Sequence, residues 1–143
     1  MAKKKKKKAG AQRDKAAPAK GRAAAAQDSV AALRAALPPD VKVIPIPANA
    51  TVVVEVDVND MAIPYTIALD TRTIIESLVD RREELPSMSV GTHRLSWGFA
   101  HAVKGWKHKL TLIVNGTATV LEERSEAKKD PDRSIGVAFL VVG

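Results

Sequence analysis

The chain contains no cysteine. Disulfides, thiolate nucleophiles and thiolate-held metals are therefore excluded. Aromatic side chains are scarce: two Trp, two Phe and one Tyr, 3% of 143 residues. Long apolar runs are missing too, and none approaches the ~20 residues that span a bilayer. The lysine run at the start is followed by AGAQRDKAAPAKGR, which has no apolar stretch of the kind a secretory signal needs. These absences predict a cytoplasmic protein without a transmembrane segment. Catalytic signatures are also lacking. There is no GxSxG, no phosphate-cradling glycine loop and no HExxH. Ser125 and Lys128 stand at S-x-x-K spacing, but the SDN and KTG elements that accompany that motif are missing. With no nucleophile–base set in view, we expect no enzyme and no cofactor.

What is present is charge, and it is concentrated. Residues 1–28 carry ten basic and two acidic side chains, a net of +8. The remaining residues carry 13 basic and 14 acidic, a net of −1. The whole basic excess of the chain thus lies at one end. No large apolar side chain occurs between Met1 and Val30, so residues 1–27 are expected to be a disordered Lys/Ala-rich tail. Lys3, Lys4, Lys5, Lys6, Lys7, Lys8, Arg13, Lys15, Lys20 and Arg22 are its cations. Such a segment either solubilises the chain or contacts a phosphate-rich partner, nucleic acid or another polyanion.

DSVAALRAAL (28–37) predicts a short helix. Asp28 or Ser29 caps it, Pro38-Pro39 ends it, and Val30, Leu33 and Leu37 share one face. Helix and linker occupy 28–39. From residue 40 to 143 the hydrophobic period becomes two. TVVVEVDV (51–58), IPYTIAL (63–69), THRLSWGF (92–99), HKLTLIV (108–114), TATVLEE (117–123) and SIGVAFLVV (134–142) read as strands. Asn115-Gly116 joins two of them as a hairpin. VKVIPI (41–46) reads as an edge strand because of Pro45. TIIESLV (73–79) is ambiguous between strand and helix, and RREELP (81–86) reads as a loop. The expected fold is an all-β antiparallel β-sandwich of seven or eight strands, immunoglobulin-like or jelly-roll-like, with a small barrel as the alternative.

LPSMSVGTHRLSW resembles the corner that enters a late strand of immunoglobulin-like and fibronectin-like sandwiches, with Gly91 and His93 in the corner positions. The chain departs from that pattern in the number of strands after the corner. GWKHKLTLIVNG is similar to a stretch of concanavalin-like lectin sandwiches. Both likenesses are short and imply a sandwich fold alone.

The stretch GTHRLSWGFAHAVKGWKH (91–108) holds all three histidines and both tryptophans. His93, Leu95, Trp97 and Phe99 share a parity that points to the core. His93 is expected to bond backbone at a corner, and His101 and His108 to sit in loops. No HxH or HxxxH pair exists, so no metal site is expected. Trp106 is the tryptophan expected to be exposed. With His101, Lys104, Lys107 and His108 it forms a candidate ligand site on the 100–109 turn, suited to an anionic or sugar ligand. DVND (57–60) is read as a turn, because its three side-chain oxygens fall short of a calcium shell. Three functional readings follow. The first is a non-catalytic binding or assembly module with a polyanion-contacting arm, the sandwich itself offering a surface for a protein partner or for self-association. The second is a small carbohydrate- or ligand-binding sandwich. The third is a structural subunit of a larger bacterial assembly.

Overall fold

The computed structural model describes residues 19–100, 104–130 and 133–143, with side chains for 27–100, 104–130 and 134–143. One helix precedes nine strands. These are α1 (Ala19–Ala36), β1 (Lys42–Ile46), β2 (Val52–Asp57), β3 (Tyr65–Leu69), β4 (Arg72–Ser77), β5 (Arg81–Glu84), β6 (Gly91–Ala100), β7 (Lys107–Val114), β8 (Thr117–Ser125) and β9 (Arg133–Val142). A short 3-10 turn, Glu126–Lys128, follows β8. Among the described residues no helix is long and apolar enough to cross a membrane.

The strands form two sheets. The larger runs β1-β9-β6-β3-β4 and the smaller β5-β2-β7-β8. Period-two valine and leucine rows explain why they face each other. Val52, Val54 and Val56 of β2, with Leu110 and Leu112 of β7, are at most 3% exposed. They share one core with Ile67 of β3, Leu95 of β6 and Leu140 of β9. Two inward rows meeting across the gap define a sandwich. The sequence expectation holds at this level, with nine strands rather than seven or eight.

Four details differ from it. The β1–β9 pair is parallel, Lys42 opposite Ala138 through Ile46 opposite Val142, so the sandwich is not wholly antiparallel. The β7–β8 hairpin intervenes between the neighbours β6 and β9, and the immunoglobulin constant-domain strand order is not reproduced. RREE, read as a loop, is strand β5 on the edge of the smaller sheet. It has no apolar alternation because two residues on the core-facing side, Arg81 and Glu83, pair with each other at 3.3 Å instead. Inward charge of this kind blunts an edge. Finally, the helix starts at Ala19 and takes in nine residues, 19–27, of the expected disordered tail. Ala19 and Ala23 to Ala26 are the best helix formers available and extend α1 backwards.

The helix has a clear partner. Val30 is buried with Val43 of β1 and Val141 of β9, and Leu33, Leu37 and Phe139 pack around them. The Arg34 guanidinium donates to the Val43 carbonyl at 2.9 Å. So α1 lies on the outer face of the larger sheet, over its β1–β9 side. TIIESLV resolves as strand β4, and Pro45 does sit on an edge strand.

Candidate functional site

The predicted turn site comes apart in the structure. His101 lies outside the described residues. Lys104 and Lys107 are exposed. Trp106, expected to be exposed, is buried at 3% exposure. Its carbonyl accepts from the Glu126 amide at 2.9 Å, and the Glu126 carboxylate accepts from the Gly105 amide. The turn is thereby fastened onto the 3-10 segment with the indole beneath. His108, expected in a loop, is inside β7 and 2% exposed. It stands two residues before Leu110 and four before Leu112, on the same inward row. The parity that placed those leucines in the core applied to it as well.

His108 belongs to a buried aromatic column. Its ring lies over Phe99 at 3.8 Å between centroids and 6° between planes. Tyr65 stacks with Phe99 at 5.2 Å, and Trp106 lies 6.2 Å from His108. Three of the five aromatic residues of the chain are therefore spent on one column through the core. The Tyr65 hydroxyl ends it by donating to the Val79 carbonyl at 2.5 Å. Burial pushes the phenol up from its ordinary value, against smaller opposing effects of Ser77 and Arg81.

Beside the column sits a polar knot that sequence reading did not find. Glu122 Oε2 accepts from His108 Nε2 at 2.7 Å and from the Ser134 hydroxyl at 2.5 Å. Its other oxygen lies 3.4 Å from Arg124 Nε. Both Glu122 and His108 have side chains at least nine-tenths buried. Burial alone would raise the Glu122 carboxyl. The hydrogen bonds from His108 and Ser134, with the nearby Trp97 indole N–H acting the same way, overcome it and bring the carboxyl down to about 2. That indole N–H has no acceptor at full hydrogen-bond geometry. Trp97 stays where it is because Gly136 faces it across the strands: a Cβ there would fall 2.4–2.5 Å from three atoms of the indole.

Glu122 escaped prediction because β8 carries a register shift where β7 passes from Leu110 to Thr111. Leu110 pairs with Glu122 and Thr111 with Val120, which turns Leu121 and Glu122 inward in succession. Alternation along TATVLEE carries no sign of that. Ser134 was legible in principle, since it stands at even spacing from Ala138 and Leu140 on the inner row of β9.

Chemically the knot is a set of donors around one ionised acceptor. The Ser134 proton points at the carboxylate and so does the His108 proton. Both protons go to the same carboxylate oxygen, so Glu122 is the shared acceptor that joins β7, β8 and β9. The Asp57 carboxylate accepts from the Asn59 amide at 2.7 Å, and Asn59 and Asp60 adopt left-handed φ of 57° and 59°. That is the side-chain-bonded turn expected of DVND. Among the described residues no cluster of three or more His, Asp or Glu is placed to hold a metal.

At the end of the smaller sheet a cavity of about 490 Å³ is bounded by Trp106, Lys107, His108, Lys109, Arg124 and Lys128. It brings three of the predicted ligand residues to one place; exposed Lys104 is not among its walls. Asp57 and Glu123 also border it, so its cations are partly balanced. Of the tail cations, Lys3 to Lys8, Arg13 and Lys15 lie outside the described residues. Lys20 and Arg22 fall in the first turns of α1, where side chains are not described.

At the level of class, fold and site define an all-β sandwich with a helix on one outer face and a buried ionic knot. Comparison with known families, curated proteins and solved structures returned no match.

Proposed function

We propose that the chain is a non-catalytic binding or assembly module whose basic N-terminal segment engages nucleic acid or another polyanion. One observation carries this: +8 of net charge in residues 1–28 against −1 in the rest. Lysine and arginine neutralising phosphates release condensed counterions, which gives affinity without sequence preference. The docking of α1 supports the reading. The helix that follows the basic segment in sequence is fixed to the larger sheet through Val30 and Arg34.

The test replaces Lys3 to Lys8 by Gln in the full chain. Binding to a mixed-sequence duplex is followed by fluorescence anisotropy across a salt series. For the native chain, log affinity should fall steeply with log salt, at about −0.9 for each phosphate neutralised. The six-Gln chain should bind weakly and with a much shallower slope. Equal affinity and slope in both would overturn the reading.

A second reading rests on the 490 Å³ cavity. The burial of Trp106 removes the open ring face that sugar stacking requires. Its cationic rim favours a small anionic ligand instead. Lys107→Glu would abolish such binding, and the six-Gln replacement would leave it intact.

A further inference from the structure

His93 enters β6 with both ring nitrogens engaged. Nδ1 lies 2.8 Å from Asp70 Oδ2, and Nε2 lies 2.7 Å from the Ser89 carbonyl oxygen. A carboxylate and a carbonyl are both acceptors. Neither can donate to a bare ring nitrogen, so both bonds exist together only when both nitrogens carry protons. The arrangement selects the imidazolium.

The two acceptors belong to different parts of the fold. Asp70 occupies the β3–β4 turn with a left-handed φ of 56°. Its amide donates to the Arg94 carbonyl at 2.7 Å, and its Oδ1 accepts from the Arg94 amide at 2.9 Å. Asp70 is therefore locked to β6. Ser89 lies on the loop 85–90, which leaves β5 in the smaller sheet and enters β6 in the larger one. That loop is held at its start by buried Leu85, whose amide donates to the Val52 carbonyl at 2.8 Å. Met88 packs on the core. The Ser89 carbonyl is the grip at its far end.

We propose that His93 is a proton-operated latch on the crossover between the two sheets. With two ring protons it ties the loop to the β3–β4 turn. When it loses one, it keeps the charge-assisted bond to the Asp70 carboxylate, which is the stronger acceptor. The bare Nε2 then faces the Ser89 oxygen, lone pair against lone pair, and the loop end is released. The loop borders a crevice of about 230 Å³ lined by Ile46, Thr51, Glu84, Met88 and Val142. Release changes how that crevice is closed.

Few charges surround the ring. The β3–β4 turn brings Asp70, and β6 brings Arg94, which acts on Asp70. Residues 85–90 include no ionisable side chain, and β9 sets Leu140 opposite His93. Burial alone would push the imidazole down. The bonds to Asp70 and Ser89 outweigh it and hold the group above its ordinary 6.5. The His93 bond, followed by that of the Arg94 amide, holds Asp70 below its ordinary 3.8. The His93 contribution is thus complete below 6.5 and fades as pH rises through its elevated value. The Asp70 contribution is complete above 3.8 and fades as pH falls through its depressed one. The latch is closed in the window between, in mildly acidic solution.

The native full chain provides the test. Ring nitrogen shifts of His93 are followed by NMR from pH 5 to 9, and amide exchange of residues 87–92 is compared at pH 5.5 and 8.5 after correction for intrinsic rates. Two protonated nitrogens are expected at pH 5.5 and one at 8.5, where corrected loop exchange rises about tenfold, the equivalent of one hydrogen bond to a charged group. His93→Gln should abolish the step. A neutral ring at pH 5.5, unchanged corrected exchange in the native chain, or a pH step that survives in His93→Gln would each overturn the proposal. If His93→Gln does not fold, the native measurements decide alone.

Discussion

Glu122 and Gly136 illustrate how much of this protein's stability is decided by single side chains in a polar core. Removing the shared acceptor of a buried hydrogen-bonded set leaves its donors unsatisfied, at a cost of about 1–3 kcal/mol. Glu122→Ala should therefore lower unfolding stability by about that amount, measured by urea denaturation. The pH dependence has a defined sign. The carboxyl drops from an ordinary 4.5 to about 2 on folding. Its contribution is complete above 4.5 and is lost as pH falls toward 2. Native protein should weaken steeply over that interval, and Glu122→Gln should flatten the curve. Gly136→Ala places a methyl group inside van der Waals contact with the Trp97 indole. Overpacking of this kind costs about 1–3 kcal/mol, and the same denaturation measurement would show it. The register shift that turns Glu122 inward leaves no mark on its neighbours in sequence. His108 shares its parity with Leu110 and Leu112, which sets it inward although a turn precedes it.

At the scale of elements, strand β5 and helix α1 show where sequence patterning stops. Strands whose inner residues are apolar were legible from period two: β2, β3, β6, β7 and β9 all lie within the expected segments or a residue or two of them. RREE escaped because its core-facing side is covered by the Arg81–Glu83 pair, and no apolar alternation marks it. The bulge in β8 escaped because it depends on pairing with β7, which is a long-range fact. The length of α1 escaped because alanine favours helix without adding a hydrophobic stripe. Docking of α1 depends instead on Val30, Leu33 and Leu37, and helices of this length draw most of their stability from such packing. Val30→Asp would bury a charge between Val43 and Val141. It should lift the helix off and lower ellipticity at 222 nm. The thermal midpoint of the sandwich should change much less than for Glu122→Ala.

At the scale of the whole molecule, charge and fold are separate. The basic excess lies in residues 1–28, and the body holds its carboxylates in compensated sets: Glu122 with His108 and Ser134, Asp70 with His93 and Arg94. Removing the tail cations should therefore abolish salt-sensitive polyanion binding and leave the urea midpoint unchanged. A large loss of stability would show that the basic segment packs on the body.

The parallel pairing of β1 with β9 carries a consequence for the order of events at the ribosome. Residues 42–46 join residues 138–142, so one side of the larger sheet waits for β9 to emerge. Helix α1 needs both: Val43 comes from the second element of the chain, Phe139 and Val141 from the final one. The helix is made well before β9 and finds its full seat only after it. Until β9 has been made, the helix lacks the β9 part of the apolar seat that holds it.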